Sequence, residues 1–307
     1  MTNTHFNGSA FGLSFKSCID CKEFNPISNG SAKIDIEIGY GNVSNNLENA
    51  VEKGILFQAA PLSYHFKYGI HGRIGKFLVT NGNRITIHRG KKATENAIKI
   101  QLLGPVLAAV LLQRGLFPFH ASAIEKNGAA YIFIGNSTCG KSTLAAAFGL
   151  RGFRLLADDL TLVTQNNNGE PIVWPGLRRL KLWEYAIQKL GVTATEENRI
   201  SPNIEKFSIP LNDSFHNKPV PLKRIYFLPL REATEISISR MAGRESADIL
   251  LTNTFGIRYV KAFGEASRHL FHCLSVANAV SVHKIEKAKR FDLLDSLLNR
   301  IEEDMSR

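Results

Sequence analysis

Ala129-Ala-Tyr-Ile-Phe-Ile134-Gly135-Asn136-Ser137-Thr138-Cys139-Gly140-Lys141-Ser142-Thr143 is the stretch on which the reading of this chain turns. An apolar, β-prone run meets the pattern Gly-x4-Gly-Lys-Ser/Thr, and Leu144–Leu150 beyond it has the composition of a helix that stops at Gly152. A glycine turn between strand and helix aims backbone N–H groups at phosphates, and the helix N-terminus adds a positive dipole. Gly140 lets the backbone approach closely, Lys141 is expected to reach the β- and γ-phosphates, and the Ser142 hydroxyl is expected to ligate magnesium. Gly135, Asn136, Ser137, Thr138, Cys139 and Thr143 complete the expected cradle for ATP. The bland alternative is a glycine turn that merely joins a strand to a helix.

Asp158-Asp159 follows Lys141 by the length of one helix and one strand. A helix of about ten residues runs roughly 15 Å away from the loop. A strand of about five residues, Phe153–Ala157, returns by roughly 16 Å. Both aspartates are therefore expected level with the loop, at the carboxyl edge of a parallel sheet. One carboxylate can hold magnesium and the other can accept a proton from an attacking hydroxyl; otherwise they are two exposed acids in a turn. Arg178, Arg179 and Lys181 come about twenty residues later. They suit either charge stabilisation on a phosphoryl group and grip on an acidic acceptor, or a solvated strand edge.

The flanks are ordinary. The chain has 307 residues, 44% of them apolar, enough for a full core. Residues 1–93 alternate as strands do, most clearly in Ala32–Tyr40 and in Phe77–His88, where Asn81-Gly82-Asn83 reads as a hairpin turn. From Thr94 the period becomes helical as far as Leu112, with a break expected at Gly104-Pro105. Further strands are expected at Phe117–Ile124, Leu160–Thr164 and Arg224–Leu230. The last helix is marked by Phe291, Leu294, Leu298, Ile301 and Met305, a core stripe. The expected division is a β-rich N-terminal region, 1–93, and a kinase domain, 94–307.

The formal charge of +11 favours anionic ligands, but no zinc-finger spacing, RNP-like motif or basic arm points to nucleic acid. No N-terminal signal is visible, and the apolar run Leu102–Leu112 is short for a bilayer, so a cytoplasmic protein without membrane attachment is expected. Four cysteines are too few for a disulfide framework. Cys18 and Cys21 lack the second pair a structural zinc site needs, and His269, His272 and Cys273 read as one half-buried helix face.

From His120 to Asp159 the sequence resembles the catalytic domain of HPr kinase/phosphorylase and its relatives, which share a phosphate loop with phosphoenolpyruvate carboxykinase. The resemblance rests on His120-Ala-Ser-Ala, on Gly135–Thr143 and on Arg151-Gly-Phe-Arg-Leu-Leu-Ala-Asp158-Asp159, with the spacings between them. It implies an α/β fold with a P-loop, carboxykinase-like catalytic domain, a β-rich N-terminal portion and C-terminal helices. It also implies that His120 lies near the transferred phosphate, that Asp158 is the catalytic base and that Asp159 helps with metal. Taken alone, His120 among Phe117, Phe119 and Ala121 reads as a core histidine.

The chain departs from the typical member at Ala121 and Thr143, where glycine and glutamate are usual, and lacks the later Glu-Ile-Arg-Gly-Leu-Gly-type signature. Phosphorylase activity and HPr as acceptor are thereby left open. The run Pro175-Gly-Leu-Arg178-Arg179-Leu-Lys181-Leu-Trp183 and Asn253-Thr-Phe255 are more similar to HPr-kinase-like proteins of ribosomal peptide pathways, some of which phosphorylate a serine of a lasso-peptide precursor. The expectation is an ATP- and magnesium-dependent kinase acting on a serine hydroxyl of a peptide or small protein. HPr(Ser) kinase proper, a nucleotide-dependent binding module without transfer, and a carboxykinase are the alternatives.

Overall fold

The computed structural model describes residues 5–27, 33–69, 72–91, 93–201, 204–211, 214–231, 233–288 and 290–307. It is a mixed α/β protein whose chain divides into two compact units, residues 1–118 with 255–270 and residues 119–254 with 271–307. This grouping differs from the expected division at residue 93, because the helical stretch after Thr94 is tied to the β-rich portion. Gln113 accepts from the Gly82 N–H at 2.8 Å, and Arg114 donates to the Gly82 carbonyl at 3.1 Å.

The first unit carries an eight-stranded sheet of β1 (Phe6–Ala10), β2 (Leu13–Ser17), β3 (Ile36–Tyr40), β4 (Glu52–Lys53), β5 (Phe57–Ala60), β6 (Ser63–Tyr68), β7 (Gly75–Thr80) and β8 (Arg84–Arg89), in the order β1-β2-β3-β8-β7-β6-β5-β4. The expected hairpin is β7–β8, and Asn81 and Gly82 take the positive φ values of 54° and 60° that its tight turn requires. The strand expected from Ala32 starts at Ile36, and Ala32 itself lies outside the described residues.

Thr94 caps α1 (Glu95–Gln101), its hydroxyl accepting from the Ala97 N–H at 3.2 Å. Gly104-Pro105 does break the helix: a π-helical turn spans Leu102–Val106, Gly104 leaves helical geometry, and α2 (Leu107–Gln113) follows. Among the described residues one helical span, Glu95–Gln113, is long and apolar enough to cross a membrane by length and composition, although most of it is buried here. It is longer than the apolar run read from the sequence because Glu95–Gln101 is continuous with it.

The chain leaves the first unit through β9 (Pro118–Phe119). The second unit is built on β10 (Ala121–Lys126), β11 (Ala129–Ile134), α3 (Lys141–Leu150), β12 (Arg154–Asp158), β13 (Thr161–Gln165) and β14 (Pro171–Val173). There follow β15 (Arg179–Trp183), α4 (Glu184–Leu190), β16 (Arg199–Ser201), β17 (Ile204–Pro210), β18 (Val220–Phe227), β19 (Ser237–Arg240) and α5 (Gly243–Thr252). The chain revisits the first unit in α6 (Ile257–Val260) and the start of α7 (Ala266–Ala279), then ends in the second unit with β20 (Ser281–Glu286) and α8 (Leu294–Ser306).

Strands run β12-β10-β11-β18-β14-β13, with β20 also beside β18, and β15, β17 and β16 form a separate small sheet. Period-2 alternation buries both faces of the main sheet. Phe133 and Tyr226 pack towards α3 and α8, whereas Ile132 and Ile225 pack towards Leu250 of α5 and Cys273 and Val276 of α7.

The expected parallel sheet is corrected around the loop: β10 lies antiparallel to both β11 and β12. The two outer strands therefore run the same way with β10 between them. Their carboxyl ends, carrying the glycine loop and the aspartates, share one edge, and β10 begins at that edge. The Asn127-Gly128 hairpin, with φ of 52° and 78°, turns β10 into β11, and the crossover through α3 carries the chain past β10 to β12, so that both outer strands end at the same edge.

Candidate functional site

The glycine loop needs its glycines. Gly135 has φ 150°, and a Cβ there would stand 2.4 Å from the Leu228 carbonyl oxygen; Gly140, at φ 105°, forms the left-handed entry to α3. Thr138 inside the loop holds φ 70°, a conformation a β-branched residue adopts at a cost of about 1–3 kcal/mol. The loop passes into the first turn of α3, where helix geometry leaves backbone N–H groups without intrahelical partners and so open to an anion.

Lys141 is buried, and its ammonium donates to the carbonyls of Gly135 at 2.7 Å and Asn136 at 2.9 Å. Burial holds it below the ordinary lysine value, against the pull of nearby Asp158 and Asp159. Beside it, the Ser142 hydroxyl donates to Asp158 Oδ1 at 2.8 Å.

The two aspartates part company. Asp158 is the last residue of β12, paired across the ladder with Ser122, and is buried. Its Oδ1 accepts from the Ser122 hydroxyl at 2.6 Å as well as from Ser142, and its Oδ2 accepts from the Lys181 N–H at 2.8 Å. Asp159 takes φ 73°, which swings its side chain away from that of its neighbour. It forms an ion pair with Lys181 Nζ at 2.6 Å and faces His120, whose Nδ1 lies 3.4 Å from Oδ1. Burial would raise the Asp159 carboxyl, but the charges of Lys181 and His120 outweigh it and hold the group well below the usual carboxylate range. Burial pushes His120 below the ordinary histidine value, with Asp159 opposing.

A cavity of about 210 Å³ opens here, lined by His120, Ser137, Lys141, Asp159, Lys181 and Lys206 among others. Ser137 Oγ lies 3.4 Å from His120 Nε2. Three lysines against one carboxylate make the cavity anion-seeking. Of the expected loop, Ser137, Thr138, Gly140, Lys141, Ser142 and Thr143 line it together with His120, Asp159 and Lys181, whereas Gly135, Asn136 and Cys139 do not; Asp158 is joined to it through Ser142.

Of the basic run, Lys181 reaches the cavity and Arg179 is buried near Asp159, so neither lies on a solvated edge; Arg178 is half-buried and does not line this cavity. Ser122, Trp183 and Lys206 were not singled out in the sequence as parts of the site. The signal for Ser122 was a hydroxyl at an inward position of an apolar strand, which demands a partner when buried. Trp183 and Lys206 are register partners on β15 and β17, a cross-strand pairing that local sequence does not announce.

Elsewhere, Cys18 and Cys21 are free thiols, and burial pushes Cys21 up to about 12. Among the described residues no three His, Cys, Asp or Glu side chains converge as a protein-only metal cage would require. One hydroxyl and one carboxylate in contact, Ser142 and Asp158, match a magnesium ion that takes its remaining ligands from phosphate oxygens and water.

No known protein family matches the sequence, and no curated protein does. Among solved structures, the HPr(Ser) kinase/phosphatase from Coxiella burnetii is similar, with a TM-score of 0.31 and 14% identity, over 62% of this chain and 99% of that one. The likeness is a weak one in structure alone.

Proposed function

We propose that the protein is an ATP- and magnesium-dependent phosphotransferase that moves the γ-phosphoryl group to a hydroxyl. The observation that carries this reading is the Ser142–Asp158 contact at the start of a glycine-loop helix, with Asp159, His120 and Lys181 facing the same cavity. In this reading the loop amides and Lys141 hold the triphosphate, Lys141 exchanging the loop carbonyls for phosphate oxygens. Ser142 and Asp158 would hold magnesium, which when bound neutralises charge on the phosphates.

The geometry favours exchanging the roles that the resemblance implies for the aspartates. Asp158 is turned inward with three hydrogen bonds already made, whereas Asp159 faces the cavity and is kept ionised by Lys181. Asp159 is thus the carboxylate able to accept the hydroxyl proton as the new O–P bond forms and ADP departs. His120, which burial holds below the ordinary histidine value, orients Asp159, and Lys181 offsets charge on the transferring group.

The acceptor we favour is a serine of a peptide or small protein, on the strength of the resemblance over His120–Asp159. The test uses γ-labelled ATP with serine peptides, and with water as the minimal acceptor. Asp159→Asn is expected to abolish label transfer while Mg-ATP still binds. Full transfer by that variant would remove the proton-accepting role, and Mg-ATP binding without transfer by the wild type would favour a binding module.

A further inference from the structure

A second cavity, of about 240 Å³, lies on the other side of Gly140 and shares Thr138, Gly140 and Thr143 with the first. Its character is different. Leu144 of α3 forms one wall, Leu294 and Leu297 of α8 form another, and the rings of Tyr185 and Phe291 meet edge-on at 5.3 Å across it. The wall from α8 is tied to α3: Arg151, at the end of α3, reaches Asp295 at 2.9 Å and Glu302 at 2.8 Å on α8. Lys287, just after β20, brings its ammonium within 3.7 Å of the point where a Cβ on Gly140 would stand, at the ridge between the two cavities.

We infer that this apolar cavity is the nucleoside subsite of the nucleotide held by the glycine loop, an inference that rests on the proposed function. A lysine-rich cavity and an apolar, aromatic-edged slot meeting at one glycine match a ligand that is polyanionic at one end and a flat heterocycle at the other. The base lies between the Leu144 wall and the Phe291–Tyr185 edge, where its faces gain dispersion and stacking. Lys287 faces the phosphate nearest the sugar.

Isothermal titration of the full chain with magnesium and either ATP or inorganic tripolyphosphate separates this subsite from the loop. The wild type is expected to bind ATP at least about tenfold more tightly than tripolyphosphate, and Phe291→Ala to weaken ATP by roughly tenfold while leaving tripolyphosphate unchanged. Tyr185→Ala, at an exposed position, is expected to weaken ATP in the same selective way without touching the core. Equal affinity of the wild type for the two ligands, or ATP affinity unchanged in both variants, would overturn the nucleoside subsite and leave the loop reading standing. Binding of neither ligand would overturn both.

Discussion

The Lys141 ammonium lies 2.7 Å from the Gly135 carbonyl, so the last invariant position of the glycine pattern closes the loop back on its first. The bond has two consequences. It rigidifies the turn before any ligand arrives, and it keeps a buried cation beside the cavity in which phosphate would sit. Lys141→Ala is expected to lower ATP affinity by at least about tenfold, since it removes a charge-assisted contact, and to leave a folded protein. Titration alongside circular dichroism checks this, and unchanged binding in the folded variant would sink the phosphate assignment.

The two glycines of the loop should respond differently to a methyl group. At Gly135 the added Cβ meets a backbone oxygen at 2.4 Å, whereas at Gly140 its nearest neighbour is the flexible end of Lys287 at 3.7 Å. Gly135→Ala is expected to cost roughly 2–4 kcal/mol, lowering Tm by about 5–10 °C, and Gly140→Ala about 1 kcal/mol. Thermal unfolding of both variants checks the order; the reverse order would contradict the loop geometry.

The Asp159–Lys181 pair is almost wholly removed from water, with side-chain exposures of 14% and 11%. Removing one partner strands the other's charge, so Asp159→Asn is expected to cost about 3 kcal/mol at pH 7, and Asp159→Asn with Lys181→Met to recover much of it. The Asp159 carboxyl is held below its ordinary value of 3.8, so its contribution is complete above that pH and is lost as pH falls through the folded value. The stability gap between wild type and Asp159→Asn should accordingly grow as His120, whose charged form Asp159 favours, takes up a proton, and should shrink once pH falls below about 4. Denaturant titrations measure the gap, and a gap that fails to shrink below about pH 4 would contradict the ion pair.

Much of this site was legible because its signals are local or follow from simple lengths. The glycine pattern fixes loop and helix by itself, and helix-and-strand arithmetic brought Asp158 and Asp159 to the correct edge even though β12 pairs antiparallel with β10 rather than within a parallel sheet. What escaped were long-range pairings. The Ser122–Asp158 ladder pair, the Lys181–Asp159 ion pair and the approach of Lys206 depend on which strands become neighbours, and period-2 patterns leave that open. Residues 255–270 returning to the first unit is likewise a tertiary outcome with no local signature. By contrast, the break at Gly104-Pro105 and the turn at Asn81-Gly82 were readable because each depends on the backbone freedom of one or two residues.

In the proposed function Ser142 and Asp158 together organise magnesium on a nucleotide held by the loop, and their 2.8 Å contact makes this directly testable. The measurement is titration with ATP, with and without magnesium, of the wild type, Ser142→Ala and Asp158→Asn. Magnesium is expected to tighten ATP binding in the wild type by at least about tenfold, and either substitution to remove most of that gain while magnesium-free binding persists. ATP binding that is indifferent to magnesium in the wild type, or a magnesium effect retained in full by both variants, would contradict it.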